Sequence, residues 1–206
     1  MNHIRRYFAD LKTTLDRLAD ADIARAIDVL HAARIDRRKI FILGNGGSAS
    51  TASHFVCDLA KNTRAPGWPD FRVLGLSDNM ALLSAYANDE GYENVFSQQL
   101  ASFVQPDDVV IGISTSGNSP NVLECIKLAN DSGATTIGFT GFDGGHLAQL
   151  VDIDLYVPSR CIEQVEDIHL MLEHLICSRL REQAITTSPI LSNSEAGRSS
   201  LSTVEV

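Results

Sequence analysis

Lys39-Ile40-Phe41-Ile42-Leu43-Gly44-Asn45-Gly46-Gly47-Ser48 is an apolar run that ends in a glycine turn and leads into a helix-compatible segment. Four consecutive large apolar residues suit a strand buried on both faces, because a strand with one wet face would alternate. Glycines after the strand let the backbone approach a ligand closely. The first amides of the following helix have no intrahelical partner and are free to hold an anion.

A second stretch has the same grammar. Val109 to Ile113 is an apolar run, and Ser114-Thr115-Ser116-Gly117-Asn118-Ser119-Pro120 follows it. Ser119 and Pro120 are a helix-start pair, since serine accepts from an orphan amide and proline suits the first helical position. Capping accounts for those two residues but not for the hydroxyls of Ser114, Thr115 and Ser116 in the same turn. Several donors converging near a helix start are what a phosphate monoester dianion requires. Two such turns at strand ends read as halves of one anion site, and the expected ligand is a phosphorylated small molecule.

Five short apolar runs, at 39–43, 71–76, 109–113, 135–139 and 153–157, suit buried strands. Segments 48–62, 79–87, 93–103, 119–131 and 162–182 read as helices between and after them. Alternation of this kind predicts an α/β fold with a parallel sheet covered on both faces, and ligands gathered at the carboxyl ends of the strands. Residues 2–34 carry apolar positions at near-helical spacing, with Asp20-Ala21-Asp22 as the expected break in a helical hairpin. Residues 1–183 are expected to form one domain. Residues 184–206, rich in serine and threonine without apolar period, are expected to form a flexible tail.

The chain has 206 residues, 44% of them hydrophobic, which suits one α/β domain with a real core. Its net charge of -9 argues against a nucleic-acid partner. No run approaches the roughly 20 apolar residues needed to span a bilayer, and charged Arg5, Arg6 and Asp10 stand where a signal peptide has its apolar core. The expectation is a cytoplasmic protein without membrane contact. Cys57, Cys125, Cys161 and Cys177 form no CxxC pair, so buried reduced thiols are expected.

His54 and Asp58 are four residues apart in an expected helix and so project from one face. Glu166, Asp167, His169, Glu173 and His174 cluster on the last helix. One pair from each cluster would complete a tetrahedral zinc shell. Plain salt bridges account for the same residues, and the acidic run 163–167 also suits a solvated first turn of a helix.

Taken together, these motifs resemble the sugar isomerase (SIS) domain and, within it, the bacterial phosphoheptose isomerases. The resemblance rests on Gly44-Asn45-Gly46-Gly47-Ser48, Ala52-Ser53-His54-Phe55, Asn88-Asp89, Phe96, Gly112 to Ser119, Thr140-Gly141, Asp143-Gly144-Gly145, Ile168-His169 and His174, in order from about residue 5 to residue 182. It implies a three-layer sandwich with a five-stranded parallel sheet in flavodoxin-like order, an N-terminal helical hairpin and a homotetramer with sites built between subunits. The implied reaction converts sedoheptulose 7-phosphate to D-glycero-D-manno-heptose 7-phosphate.

By position, the resemblance implies substrate binding by Asn45, Gly46, Gly47, Ser48, Asn88, Asp89, Ser114, Thr115, Ser116, Ser119 and Glu166. It implies zinc held by His54, Asp58, Glu166 and His174, with Asp58 as base and His174 as acid. Asp58 stands where the family normally has glutamate, and Glu166 where it normally has glutamine. Positions 166 and 174 lie roughly 12 Å apart along an ideal helix. They share one ion only through long side chains, a helix irregularity or subunit exchange. Alternative readings are an isomerase of another sugar phosphate, or a non-catalytic SIS tetramer of the branch that binds the bacterial replication initiator.

Overall fold

Why the central strands read as unbroken apolar runs is visible in the computed structural model, which describes residues 2–186. Successive side chains of β1 (Lys39–Gly44) point to opposite faces of the sheet, and both faces are covered. Ile40 and Ile42 join one apolar cluster, while Phe41 and Leu43 join the other. β3 (Val109–Ser114) is buried along its whole length for the same reason. With β2 (Arg72–Gly75), β4 (Thr135–Thr140) and β5 (Ile153–Tyr156) these strands form one all-parallel sheet in the order β2-β1-β3-β4-β5. That is the expected three-layer α/β sandwich, with flavodoxin-like strand order.

Helices α1 (His3–Leu15), α2 (Asp20–Ile35), α3 (Gly47–Cys57) and α8 (Ile162–Thr186) belong to one face. There, Ile27 and Leu30 of α2, Phe55 of α3, and Ile168, Leu172 and Ile176 of α8 close over the sheet. Helices α5 (Ser97–Ala101), α6 (Pro120–Asp131) and α7 (Leu147–Leu150) cover the other face, through Leu100, Val122, Ile126 and Leu147. Helix α4 (Met80–Glu90) buries no residue fully.

Several boundaries differ from the expected ones. The break between the N-terminal helices falls at residues 16–19, and Asp20 and Asp22 occupy the first turn of α2, where carboxylates complement the helix dipole. Helix α8 continues through residues 184–186 because Ala184 is still buried, so the expected tail does not begin at 184. Its remainder, 187–206, lies outside the described residues. All four cysteines are free, but only Cys125 and Cys177 are buried; Cys161 is half-buried and Cys57 faces outward from α3. Trp68 covers the buried Arg34 guanidinium at 5.6 Å, while Arg34 donates to the Pro69 and Thr63 carbonyls. Among the described residues no helix is long and apolar enough to cross a membrane.

Candidate active site

Strand order places the site. In a sheet ordered 2-1-3-4-5, the connections leaving β1 and β3 turn to opposite faces, and a crevice opens between their carboxyl ends. β1 and β3 are paired from Ile40↔Val109 to Gly44↔Ile113, which sets their two glycine turns side by side. Helix α3 covers one face and α6 the other, so both helices start at this crevice.

Neither start is capped by its own N-cap side chain. Gly46, at the N-cap of α3, has φ +57° and no side chain to offer. Ser119 is the N-cap of α6 with Pro120 behind it, but its hydroxyl accepts from no amide of the helix and instead sits 3.0 Å from Ser114 Oγ. The expected serine cap is therefore absent, and its hydroxyl faces Ser114 across the loop. Gly117 makes the tight turn between them at φ +64°, where a Cβ would collide with the Gly144 carbonyl oxygen. Thr115 and Ser116 are half-buried. The Ser116 hydroxyl accepts from the Asn118 amide at 3.2 Å, and Asn118 Oδ1 is 2.6 Å from His146 Nδ1, which braces the loop from outside.

One buried side chain ties the two loops together. Asn121, in the first turn of α6, donates to Asn45 Oδ1 at 3.0 Å and accepts from Asn45 Nδ2 at 2.8 Å. Its Oδ1 also accepts from the Val122 amide. Tyr92 Oη donates to Asn45 Oδ1 from above. Asn45 is thus held at both ends of its amide, with its loop at a fixed position relative to the hydroxyl loop.

Further along α3 lies a second group. His54 and Asp58 are one turn apart, as their spacing predicts, with His54 Nε2 3.7 Å from Asp58 Oδ1. At Asp58 the α-helix gives way to a π-helical turn, Asp58–Asn62, a distortion that often marks functional sites. Asn62 Nδ2 donates to Asp58 Oδ1 at 2.6 Å across that turn and fixes the carboxylate. From α8, His174 Nε2 faces His54 Nε2 at 3.4 Å, and Glu173 Oε2 lies 3.6 Å from His174 Nε2. One ligand atom from each of His54, Asp58, Glu173 and His174 lies within 4.8 Å of the others.

Glu173 is fully buried, and neither of its oxygens has a hydrogen-bond donor. Burial first, and then the Asp58 charge, push its carboxyl up to about 8. Two imidazole nitrogens facing each other beside two carboxylates form a donor set that suits a borderline divalent cation. An orphaned buried carboxylate is what such an ion satisfies. The residues present fit a metal.

Most of the residues named from sequence gather along α3, α6 and α8. Asn45, Gly46, Gly47 and Ser48 form the first loop, and Ser114, Thr115, Ser116 and Ser119 the second. Glu166 stands beside the first loop, where a Cβ on Gly47 would lie 2.6 Å from Glu166 Oε1. It is not part of the group of ligand atoms that His54, Asp58, Glu173 and His174 bring together within this chain. Asn88 and Asp89 are exposed on α4 and bonded to each other; no described hydrogen bond joins them to either loop. Asn121, Tyr92 and Asn62 were not singled out, since a lone asparagine or tyrosine in a helix-like segment carries no distinguishing pattern.

Comparison with known proteins bears on this arrangement. The SIS domain profile matches residues 6–141. The phosphoheptose isomerase of Aquifex aeolicus is 35% identical over 185 residues, covering 90% of this chain and 96% of that protein. That of Aliarcobacter butzleri is 43% identical over 141 residues, 68% of this chain and 73% of the relative. The solved phosphoheptose isomerase of Neisseria gonorrhoeae superposes with a TM-score of 0.79 at 30% identity, covering 87% of this chain and 97% of the other. The Francisella tularensis structure superposes with a TM-score of 0.80 at 29% identity, covering 87% and 96%.

Proposed function

The chain belongs to the SIS domain family, and from that premise we propose that it is a phosphoheptose isomerase, converting sedoheptulose 7-phosphate to D-glycero-D-manno-heptose 7-phosphate in heptose biosynthesis. The observation that carries this reading is one crevice furnished for both halves of the task. Two helix starts without side-chain caps, one of them lined by hydroxyls, suit the phosphate, and a histidine-carboxylate group stands further along α3 against α8.

In this reading Ser114, Thr115, Ser116 and Ser119 hold the phosphate. The loop from Asn45 to Ser48, with Glu166 beside it, orients sugar hydroxyls, and Asn88 and Asp89 complete the substrate contacts. Glu166 and Gly47 are in contact, and Glu173 and His174 meet His54 and Asp58, so α8 runs parallel to α3. Seven residues of helix separate the two levels, roughly 10 Å along α8.

Aldose-ketose exchange moves a proton between neighbouring carbons through an enediolate. The Asp58 carboxylate takes a proton from C1 of the ketose and returns one to C2. His174 exchanges protons with the two oxygens. Asn62 holds the Asp58 carboxylate in place by its hydrogen bond. A zinc ion held by His54, Asp58 and His174 would supply Lewis-acid stabilisation of the developing oxygen charge. The enzyme is read as a cytoplasmic homotetramer, each chain a single domain over residues 1–183.

The test is zinc-loaded protein with sedoheptulose 7-phosphate, the aldose product followed by NMR. Turnover lost on chelation and in His174→Ala is the expected result. No turnover with sugar-phosphate binding intact would overturn the heptose reading in favour of another sugar phosphate or a non-catalytic role.

A further inference from the structure

We propose that Glu173, rather than Glu166, supplies the fourth protein ligand of the cation in this chain. The inference rests on the reading that His54, Asp58 and His174 hold a metal, and it concerns which carboxylate closes the shell.

Distances carry the first part of the argument. Four ligand atoms set tetrahedrally about 2.05 Å from a zinc ion are about 3.3 Å from one another. In the structure the separations are 3.4 Å between the two imidazole Nε2 atoms, 3.6 Å from His174 Nε2 to Glu173 Oε2, and 3.7 Å from His54 Nε2 to Asp58 Oδ1. These three separations are within about half an ångström of a closed shell, and all four groups bring a ligand atom within 4.8 Å of the others.

Burial carries the second part. Glu173 is 0% exposed, and among the described residues no donor reaches either oxygen. A carboxylate in that position is costly unless a charge or donor compensates it. His54 and His174, by contrast, are about half exposed, so the group is open toward solvent and walled on its inner side by Glu173. Glu173 thus stands on the buried side of the group, beside Asp58 and His174.

Glu166 is accounted for elsewhere. Its carboxylate packs against Gly47 at the start of α3, two turns back along an unbroken helix, where a negative charge complements the helix dipole. Rotation of its side chain away from Gly47 would have to cover most of those two turns to reach His174.

Zinc affinity of the full chain, measured by competition with a chromogenic chelator, tests the assignment. Glu173→Leu should weaken binding by at least the 10–100-fold that loss of even an outer-shell partner costs. Glu166→Ala, which removes any ligand oxygen at that position, should change it by less than about threefold, on the scale of a substitution outside the shell. Urea unfolding gives a readout independent of activity. Metal-free Glu173→Leu should be more resistant than the metal-free parent, because leucine replaces an unpartnered buried carboxylate, and it should gain little from added zinc. Retained affinity in Glu173→Leu with loss in Glu166→Ala would overturn the proposal. Loss in both would keep Glu173 as a ligand and overturn the exclusion of Glu166. Absence of zinc binding in the parent chain, unchanged by His54→Ala, would instead sink the underlying metal reading.

Discussion

Asn121 shows how much of the site depends on a single side chain that touches no substrate in the proposed reading. Its amide exchanges two hydrogen bonds with Asn45 and accepts a third from the Val122 amide, so it links the loop after β1 to the loop after β3. Truncation would leave Asn45 with Tyr92 as its remaining side-chain partner and the first loop free to drift. Loss of hydrogen bonds to a buried partner costs about 1–3 kcal/mol, and tenfold in rate or affinity is about 1.4 kcal/mol. Asn121→Ala should therefore lower kcat/KM for the sugar phosphate about tenfold, mostly through KM, since the group around Asp58 lies elsewhere on α3. Steady-state kinetics on the zinc-loaded protein decides it; an unchanged KM would mean that the two loops hold their positions independently.

At the scale of elements, the start of α6 separates a structural role from a binding one. A serine that caps a helix costs about 1 kcal/mol on replacement by alanine. Ser119 makes no cap bond and faces Ser114 instead. Ser119→Ala should leave the urea midpoint within the roughly 0.5 kcal/mol of an ordinary surface change while weakening inorganic phosphate binding severalfold. The opposite pattern, stability lost and phosphate binding kept, would return Ser119 to a capping role. This contrast also marks what could be read from the chain alone. Strand positions were legible to within a residue or two, because burial on both faces leaves an unbroken apolar run at β1 and β3. The four-residue α7 was not, being shorter than one helical repeat of the apolar pattern. His54 with Asp58 was legible from i,i+4 spacing, yet the choice between Glu166 and Glu173 depends on the phase of α8 against α3, which spacing within either helix does not contain. The π-helical turn at Asp58 has no local sequence signal.

Two properties belong to the whole molecule. His169 sits in the core with Nε2 3.1 Å from the Thr140 carbonyl, and burial holds its pKa down at about 4. Between pH 6.5 and about 4 the unfolded chain binds a proton at this residue that the native chain refuses, so stability falls as pH falls through that window, by about 3 kcal/mol in total. His169→Gln, which keeps a donor for Thr140, should flatten the fall between pH 6.5 and 4.5 relative to the parent in matched urea titrations; parallel curves would contradict the assignment. Assembly is the larger property. Ile4 and Phe8 on α1 are 59% and 60% exposed, and Met171 and Leu175 on α8 are 42% and 50% exposed. Tyr7 donates to Asp167 at 2.5 Å, which fastens α1 to α8 and brings both helices together on one side of the chain. Leu175 and Met171 flank His174, itself half exposed, so a second copy seated on these residues would shelter the histidine group as well as bury apolar area. Each such side chain, fully buried, contributes about 1.5–3 kcal/mol, and a two-fold interface counts it twice. Leu175→Glu combined with Phe8→Glu should therefore shift the proposed tetramer to smaller species in sedimentation velocity and lower zinc retention together. A double variant that sediments like the parent would mean that the copies meet elsewhere, and that the histidine group stays open to solvent in the assembled protein.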